Sequence, residues 1–189
     1  SIADGVKELE REKSVTDNAA RAIYMYENGL KYKGEDFPEG TASQFYKYSS
    51  DGSVHPHCTW YAASRYEAVN GSDNPLRFTQ WSYRDAANWP NLIDRNYFNC
   101  DTANVDTIKT NTIAVSTTSK SHDNSYWDSR INAWTGASDN HVAYVEAVKD
   151  GYVYYSQGSS GWSMGMEGYI YKQPIDKFAR DYNLIISAK

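Results

Sequence analysis

Two β-prone runs, residues 141–148 and 152–157, joined by Lys149-Asp150-Gly151, constrain this chain more than any other feature. Such runs on either side of an Asp-Gly turn read as paired antiparallel strands, and the loop length decides which side chains share a face. Along the first run His141, Ala143, Val145 and Ala147 point one way and Val142, Tyr144, Glu146 and Val148 the other. A two-residue loop pairs Lys149 with Tyr152 and turns Gln157 to the wrong face. A three-residue loop, with Gly151 left-handed, pairs Val148 with Tyr152, Ala143 with Gln157 and His141 with Ser159, so that Gln157 lies diagonal to His141 on the same face. This second register also collects Ala143, Val145, Ala147, Val153 and Tyr155 on a buried side, and it is the reading preferred here. Glu146, on the face away from His141, reads as a surface residue.

Further strand signals cover 112–116, 168–171 and 184–187. Helical segments precede them. One runs from Cys58 to about Val69 and is stopped by Asn70-Gly71; a shorter one covers 79–89, with Trp81, Tyr83, Ala86, Ala87 and Trp89, and is closed by Pro90. Residues 1–30 are charged and helix-prone. Thr16 or Asp17 reads as the N-cap of a helix that carries Ala19, Ala22, Ile23 and Tyr26 on one stripe and ends at Gly29. Residues 31–57 form an irregular arm, and 117–139 are polar and too long for a hairpin loop. The organisation is therefore α+β, with helices packed on an antiparallel sheet of five to six strands: an extension over 1–50, then one domain over 51–189.

A length of 189 residues, 40% hydrophobic and 23% charged, suffices for one real core. The net charge of −5 and the lack of any Lys/Arg run argue against nucleic-acid binding. No apolar stretch approaches the roughly 18–20 residues needed to cross a bilayer. Ser1 follows neither an initiator Met nor a signal peptide, which reads as a processed or trimmed fragment. The 17 tyrosines and many Asn, Ser and Thr suit carbohydrate-rich or extracellular surroundings.

The chemistry concentrates in two segments. His57-Cys58-Thr59-Trp60-Tyr61 places a thiol at a helix start, where unpaired N–H groups and the helix dipole favour an anion and would draw the thiol toward thiolate. His141 opens a strand and supplies a side chain that moves protons near neutral pH. Gln157 would give an amide oxygen to one imidazole nitrogen and leave the other to face Cys58, the arrangement of Cys-His-Asn proteases. A disulfide between Cys58 and Cys100 is the alternative; the histidine strand favours a free Cys58 and an unremarkable Cys100 thiol. His55 and His57 lack zinc-ligand spacing, so no metal is expected. Trp60, Trp81 and Trp89 read as core, and Trp162, in the Ser/Gly-rich stretch beyond Gln157 and Ser159, reads as a ligand contact.

These segments resemble the CHAP family, the cysteine- and histidine-dependent amidohydrolase/peptidase domains of bacterial cell-wall hydrolases and phage lysins, within the wider papain-like group. Cys58-Thr59-Trp60-Tyr61 resembles the nucleophile motif, and His141-Val142-Ala143-Tyr144-Val145-Glu146-Ala147-Val148 the histidine strand. Trp81 with Ala86-Ala87-Asn88-Trp89, Thr112-Ile113-Ala114-Val115 and Asp181-Tyr182-Asn183-Leu184-Ile185 are lesser echoes, and the likeness covers roughly residues 55–188. Asn140 stands where the family usually has Gly, Gln157-Gly158-Ser159 where it often has Glu-x-Asn, and residues 117–139 are an insertion.

The resemblance implies a cofactor-free cysteine peptidoglycan amidase or endopeptidase. Cys58, His141 and Gln157 would be its catalytic residues and Ser159 and Trp162 its substrate contacts; the enzyme would be a monomer, secreted or associated with the cell wall. The alternatives are an impaired module that binds cell wall or a protein, and an amidase for another amide.

Overall fold

The computed structural model describes residues 1–40, 42, 45, 57–80, 85–117, 126–129, 133–135, 140–158 and 167–189. Helix α1 spans Ile2–Glu27 and begins well before Thr16. Ser1 is its N-cap: the Ser1 hydroxyl accepts from the Asp4 N–H at 3.2 Å in a reciprocal capping box. Thr16 instead sits inside the helix and donates its hydroxyl to the Glu12 carbonyl at 3.0 Å. The Glu, Lys and Arg residues ahead of it are good helix formers, so the helix runs through the position expected to start it.

Helix α2 spans Cys58–Asn70 with Gly71 at its C-cap. Of the helix expected over 79–89, residues 81–84 lie outside the described residues, and its described ends are not α-helical before Trp89. Phe78 bridges to Ile93 in extended pairing. A 3-10 turn over Ala86–Asn88 leads into the short helix α3, Trp89–Leu92. Pro90 lies in the first turn of α3 rather than beyond a helix end, a position where its missing N–H costs nothing.

The strands are β1 (Phe98–Thr102), β2 (Thr112–Ser116), β3 (Tyr126–Asp128), β4 (Ala133–Thr135), β5 (His141–Lys149), β6 (Tyr152–Ser156), β7 (Tyr171–Pro174) and β8 (Leu184–Ala188). Six of them form an antiparallel sheet in the order β1-β8-β2-β5-β6-β7, and β3 and β4 pair separately within the 117–139 segment. Four elements go beyond the sequence expectation: the polar edge strand β1, the β3 and β4 pair inside the polar 117–139 stretch, and helix α4 (Ile175–Asp181) between β7 and β8. The strand expected at 168–171 begins only at Tyr171. Gly168 (φ 92°) accepts from the Tyr32 N–H at 2.9 Å, and a Cβ there would strike the Tyr32 carbonyl.

Both faces of the sheet are covered. On one, Trp60, Ala63 and Tyr66 of α2 pack with Val115, Val142 and Tyr144, and α1 adds Ala22 and Met25 against Ala147 and Tyr154. On the other, Phe178 and Tyr182 pack with Ala143, Val145 and Tyr155. This double burial explains the apolar character of β5 on both sides. Among the described residues no helix is long and apolar enough to cross a membrane.

The hairpin between β5 and β6 departs from the preferred register at its turn and returns to it near the histidine. Asp150 (φ 53°) and Gly151 (φ 79°) form a two-residue turn, and Lys149 pairs with Tyr152. Left-handed backbone at both positions suits Asp-Gly and matches the strand twist. Val148 then pairs with Val153 and Ala147 with Tyr154, but beyond a bulge at Glu146 the pairs are Val145 with Tyr155 and Tyr144 with Ser156. The extra residue shifts the ladder by one place. Ala147 accordingly leaves the face of Ala143 and Val145 and joins the side facing α1.

Candidate active site

Cys58 is the first residue of α2 and is buried against Val142, next to the start of β5. The N–H groups of Val142, Thr59 and Cys58 itself address its sulfur. Burial nevertheless dominates, pushing the thiol up to about 11, with Asp85 opposing ionisation further. The expected shift toward thiolate is therefore reversed: removal from water outweighs the helix-start donors.

His141 is buried at the start of β5, and Gln157 follows β6. Nε2 of His141 lies 2.7 Å from Gln157 Oε1. The same oxygen accepts from the Tyr182 hydroxyl at 3.2 Å. Oε1 has only lone pairs to offer, so Nε2 carries the ring proton and Nδ1 keeps its lone pair. Burial lowers the His141 pKa below its ordinary 6.5, and the Gln157 bond offsets this only in part. At neutral pH the site holds a thiol and a neutral imidazole.

Asn140 adopts left-handed backbone (φ 54°), as a Gly replacement must. Its side-chain oxygen also accepts from the Ala87 N–H at 2.7 Å, which ties the turn before α3 to the histidine strand. Tyr182, not anticipated as part of the site, lies just past α4 with its ring stacked on Phe178, centroids 4.5 Å apart. It was legible only as part of the closing-strand motif; the target of its hydroxyl depends on how that segment folds back.

Glu146 is fully buried, which corrects its reading as a surface residue. Arg65 of α2 meets it with two bonds, Nε to Oε1 at 2.9 Å and Nη2 to Oε2 at 3.0 Å. Asn18 of α1 donates to Oε2 at 2.6 Å and Ser156 to Oε1 at 2.8 Å. Neither Glu146 nor its partners touch His141, in keeping with the face assignment.

Cys58 and Cys100 are both free, so the disulfide alternative is not adopted. Trp60 and Trp89 are core residues. Ser159, Trp162, Trp81, His55 and His122 lie outside the described residues. A cleft of about 450 Å³ between α1 and α2, lined by Lys13, Asp17, Arg21 and Asp36 among others, does not include Cys58, His141 or Gln157. Its mixed charges largely satisfy one another, as in the Arg21–Asp36 pair at 2.8 Å.

A family model of the CHAP domain matches residues 47–159, more than half of the chain, and spans Cys58, His141 and Gln157. No curated protein and no solved structure matches the chain. With the antiparallel α+β fold and the extent of that match, the chain belongs to the CHAP domain family, a family of cell-wall amidases and peptidases.

Proposed function

We propose that this protein is a cysteine-dependent peptidoglycan hydrolase, an amidase or endopeptidase, with Cys58 as nucleophile, His141 as base and Gln157 as the residue that orients His141. The observation that carries the reading is the 2.7 Å contact between Gln157 Oε1 and His141 Nε2, which leaves Nδ1 as the proton acceptor. As substrate enters and displaces water, the Cys58 proton passes to Nδ1 while sulfur attacks the amide carbonyl. N–H groups at the start of α2 stabilise the oxyanion. The imidazolium then protonates the departing amine, and water hydrolyses the thioester with His141 again as base. Gln157 supplies orientation without a negative charge, and its pairing with both His141 and Tyr182 favours a working site over a relic. Ser159 and Trp162 are proposed to contact substrate, and secretion or association with the cell wall is the setting this substrate requires.

The test is digestion of purified peptidoglycan by the chain and by Cys58→Ala, with new amino groups counted and products identified by mass. Products that fall by at least about 10³-fold in the variant support the hydrolase and name the bond. Equal traces from both proteins would refute it.

A further inference from the structure

The turn and the histidine site of the β5–β6 hairpin belong to different registers, and Glu146 is where they change. If the Lys149–Tyr152 register continued without a bulge, Tyr144 would face Gln157. Paired residues share a face, and Tyr144 lies on the side opposite His141. Gln157 would then point toward α2 and away from the imidazole. The bulge returns the ladder to Tyr144–Ser156, so that the next residue, Gln157, falls on the His141 side, where its 2.7 Å contact is found.

The contacts of Glu146 come from three separate elements. Arg65 arrives from α2, Asn18 from α1 and Ser156 from the neighbouring strand, while the Tyr32 hydroxyl donates to Asn18 Oδ1 at 2.9 Å and approaches Glu146 Oε2 at 3.3 Å. Arg65 Nη2 also donates to Asn18 Oδ1 at 2.9 Å, and its guanidinium lies 3.6 Å from the Tyr32 ring centroid. A carboxylate so buried is held where its partners are, because any strand slip that withdrew it would leave two charges unpaired out of water. Asn18 and Tyr32 precede the residues matched by the family model.

We infer that Glu146, clamped by Arg65 and by Asn18 of the N-terminal helix, is a positioning residue: it pins the bulge that delivers Gln157 to His141, so the N-terminal segment takes part in assembling the site. The inference rests on the roles proposed for Cys58, His141 and Gln157, and it deepens them.

Glu146→Gln in the full chain tests it, with two readouts. The first needs no substrate: imidazole nitrogen shifts of His141 in 15N-labelled protein report which nitrogen carries the proton. Wild type is expected in the Nε2–H form, and the variant with a substantial Nδ1–H fraction. The second is a cycle with Gln157→Ala on peptidoglycan. Glu146→Gln is expected to lower kcat on the order of 10–100-fold with KM nearly unchanged. Adding Gln157→Ala should then cost little more, because both act through one contact. An unchanged tautomer in folded Glu146→Gln, or losses that multiply, would overturn the inference. Should that variant fail to fold, Asn18→Ala carries the same two comparisons from α1. Because the tautomer is read without substrate, failure of this inference is distinguishable from failure of the hydrolase reading.

Discussion

Strand β5 carries two buried polar clusters five residues apart, and they are built to opposite ends. Around Glu146 the carboxylate accepts from Arg65, Asn18 and Ser156, with the Tyr32 hydroxyl 3.3 Å away, so charge and lone pairs are used up inside the fold. Around His141 the groups are neutral: one ring nitrogen is bound to Gln157 and the other keeps its lone pair. A saturated buried ion pair fixes geometry and has nothing left to react with. A neutral pair with a lone pair in reserve is held, among the described residues, on one side alone, as the base role proposed for His141 requires. The first cluster sits behind the second and sets its register.

The comparison breaks most sharply at the charged cluster. Glu146→Ala leaves the Arg65 guanidinium buried without its carboxylate and is expected to cost about 3–5 kcal/mol in urea unfolding. A loss below about 1 kcal/mol would mean that water or Asp36 compensates the charge. At the neutral cluster the expectation is reversed, with activity moving more than stability. Gln157→Ala should lower kcat by roughly 10–100-fold through misorientation of His141. Tyr182→Phe, which removes a single 3.2 Å bond to the same oxygen, should cost about 1 kcal/mol and a smaller part of kcat. Equal kinetic losses in the two would assign Tyr182 a larger part than a supporting donor.

The smallest effect expected is on the pH dependence of stability. His141 has a folded pKa below its ordinary 6.5, so the fold favours the neutral ring. That contribution is complete above 6.5 and is lost as pH falls below it. Melting of wild type should therefore drop more steeply below pH 6.5 than melting of His141→Gln, and parallel curves would refute the assignment. Cys58 has the opposite sign. Its folded pKa of about 11 lies above the ordinary 9.0, so its contribution is present below 9.0 and fades between the two values. In the absence of substrate, alkylation of Cys58 should accordingly rise with pH throughout the neutral range, and a rate equal at pH 6 and pH 8 would indicate a standing thiolate instead.

The helix from Cys58 to Asn70, the core of the sheet and the place of His141 at a strand start were readable because each rests on a local pattern: a Gly stop, β-branched runs, a motif at a strand start. The errors arose where long-range packing overrode local signals. Thr16 has the side chain of an N-cap but lies in a helix already nucleated at Ser1. Residues 175–181 are too few for a helical period to stand out, and their helix is fixed by Phe178 docking on Tyr155 at 4.9 Å. Glu146 looked exposed because an isolated carboxylate usually is, and nothing in the order of residues places Arg65 and Asn18 beside it.

Gln157 shows where sequence and tertiary structure divide. A three-residue turn would bring it to His141 directly, yet Asp150-Gly151 forms the two-residue turn that Asp-Gly chemistry favours. The partnership survives because a bulge restores the register. The order of residues alone suffices for the helix start at Cys58, the histidine strand, the antiparallel hairpin and the α+β class, since these depend on side-chain period, turn residues and short-range capping. The burial of Glu146, the shift of the ladder at its position and the upward push on the Cys58 thiol arise only once the chain is packed. Each of these depends on removing charge from water, and that is set by what packs from far along the chain.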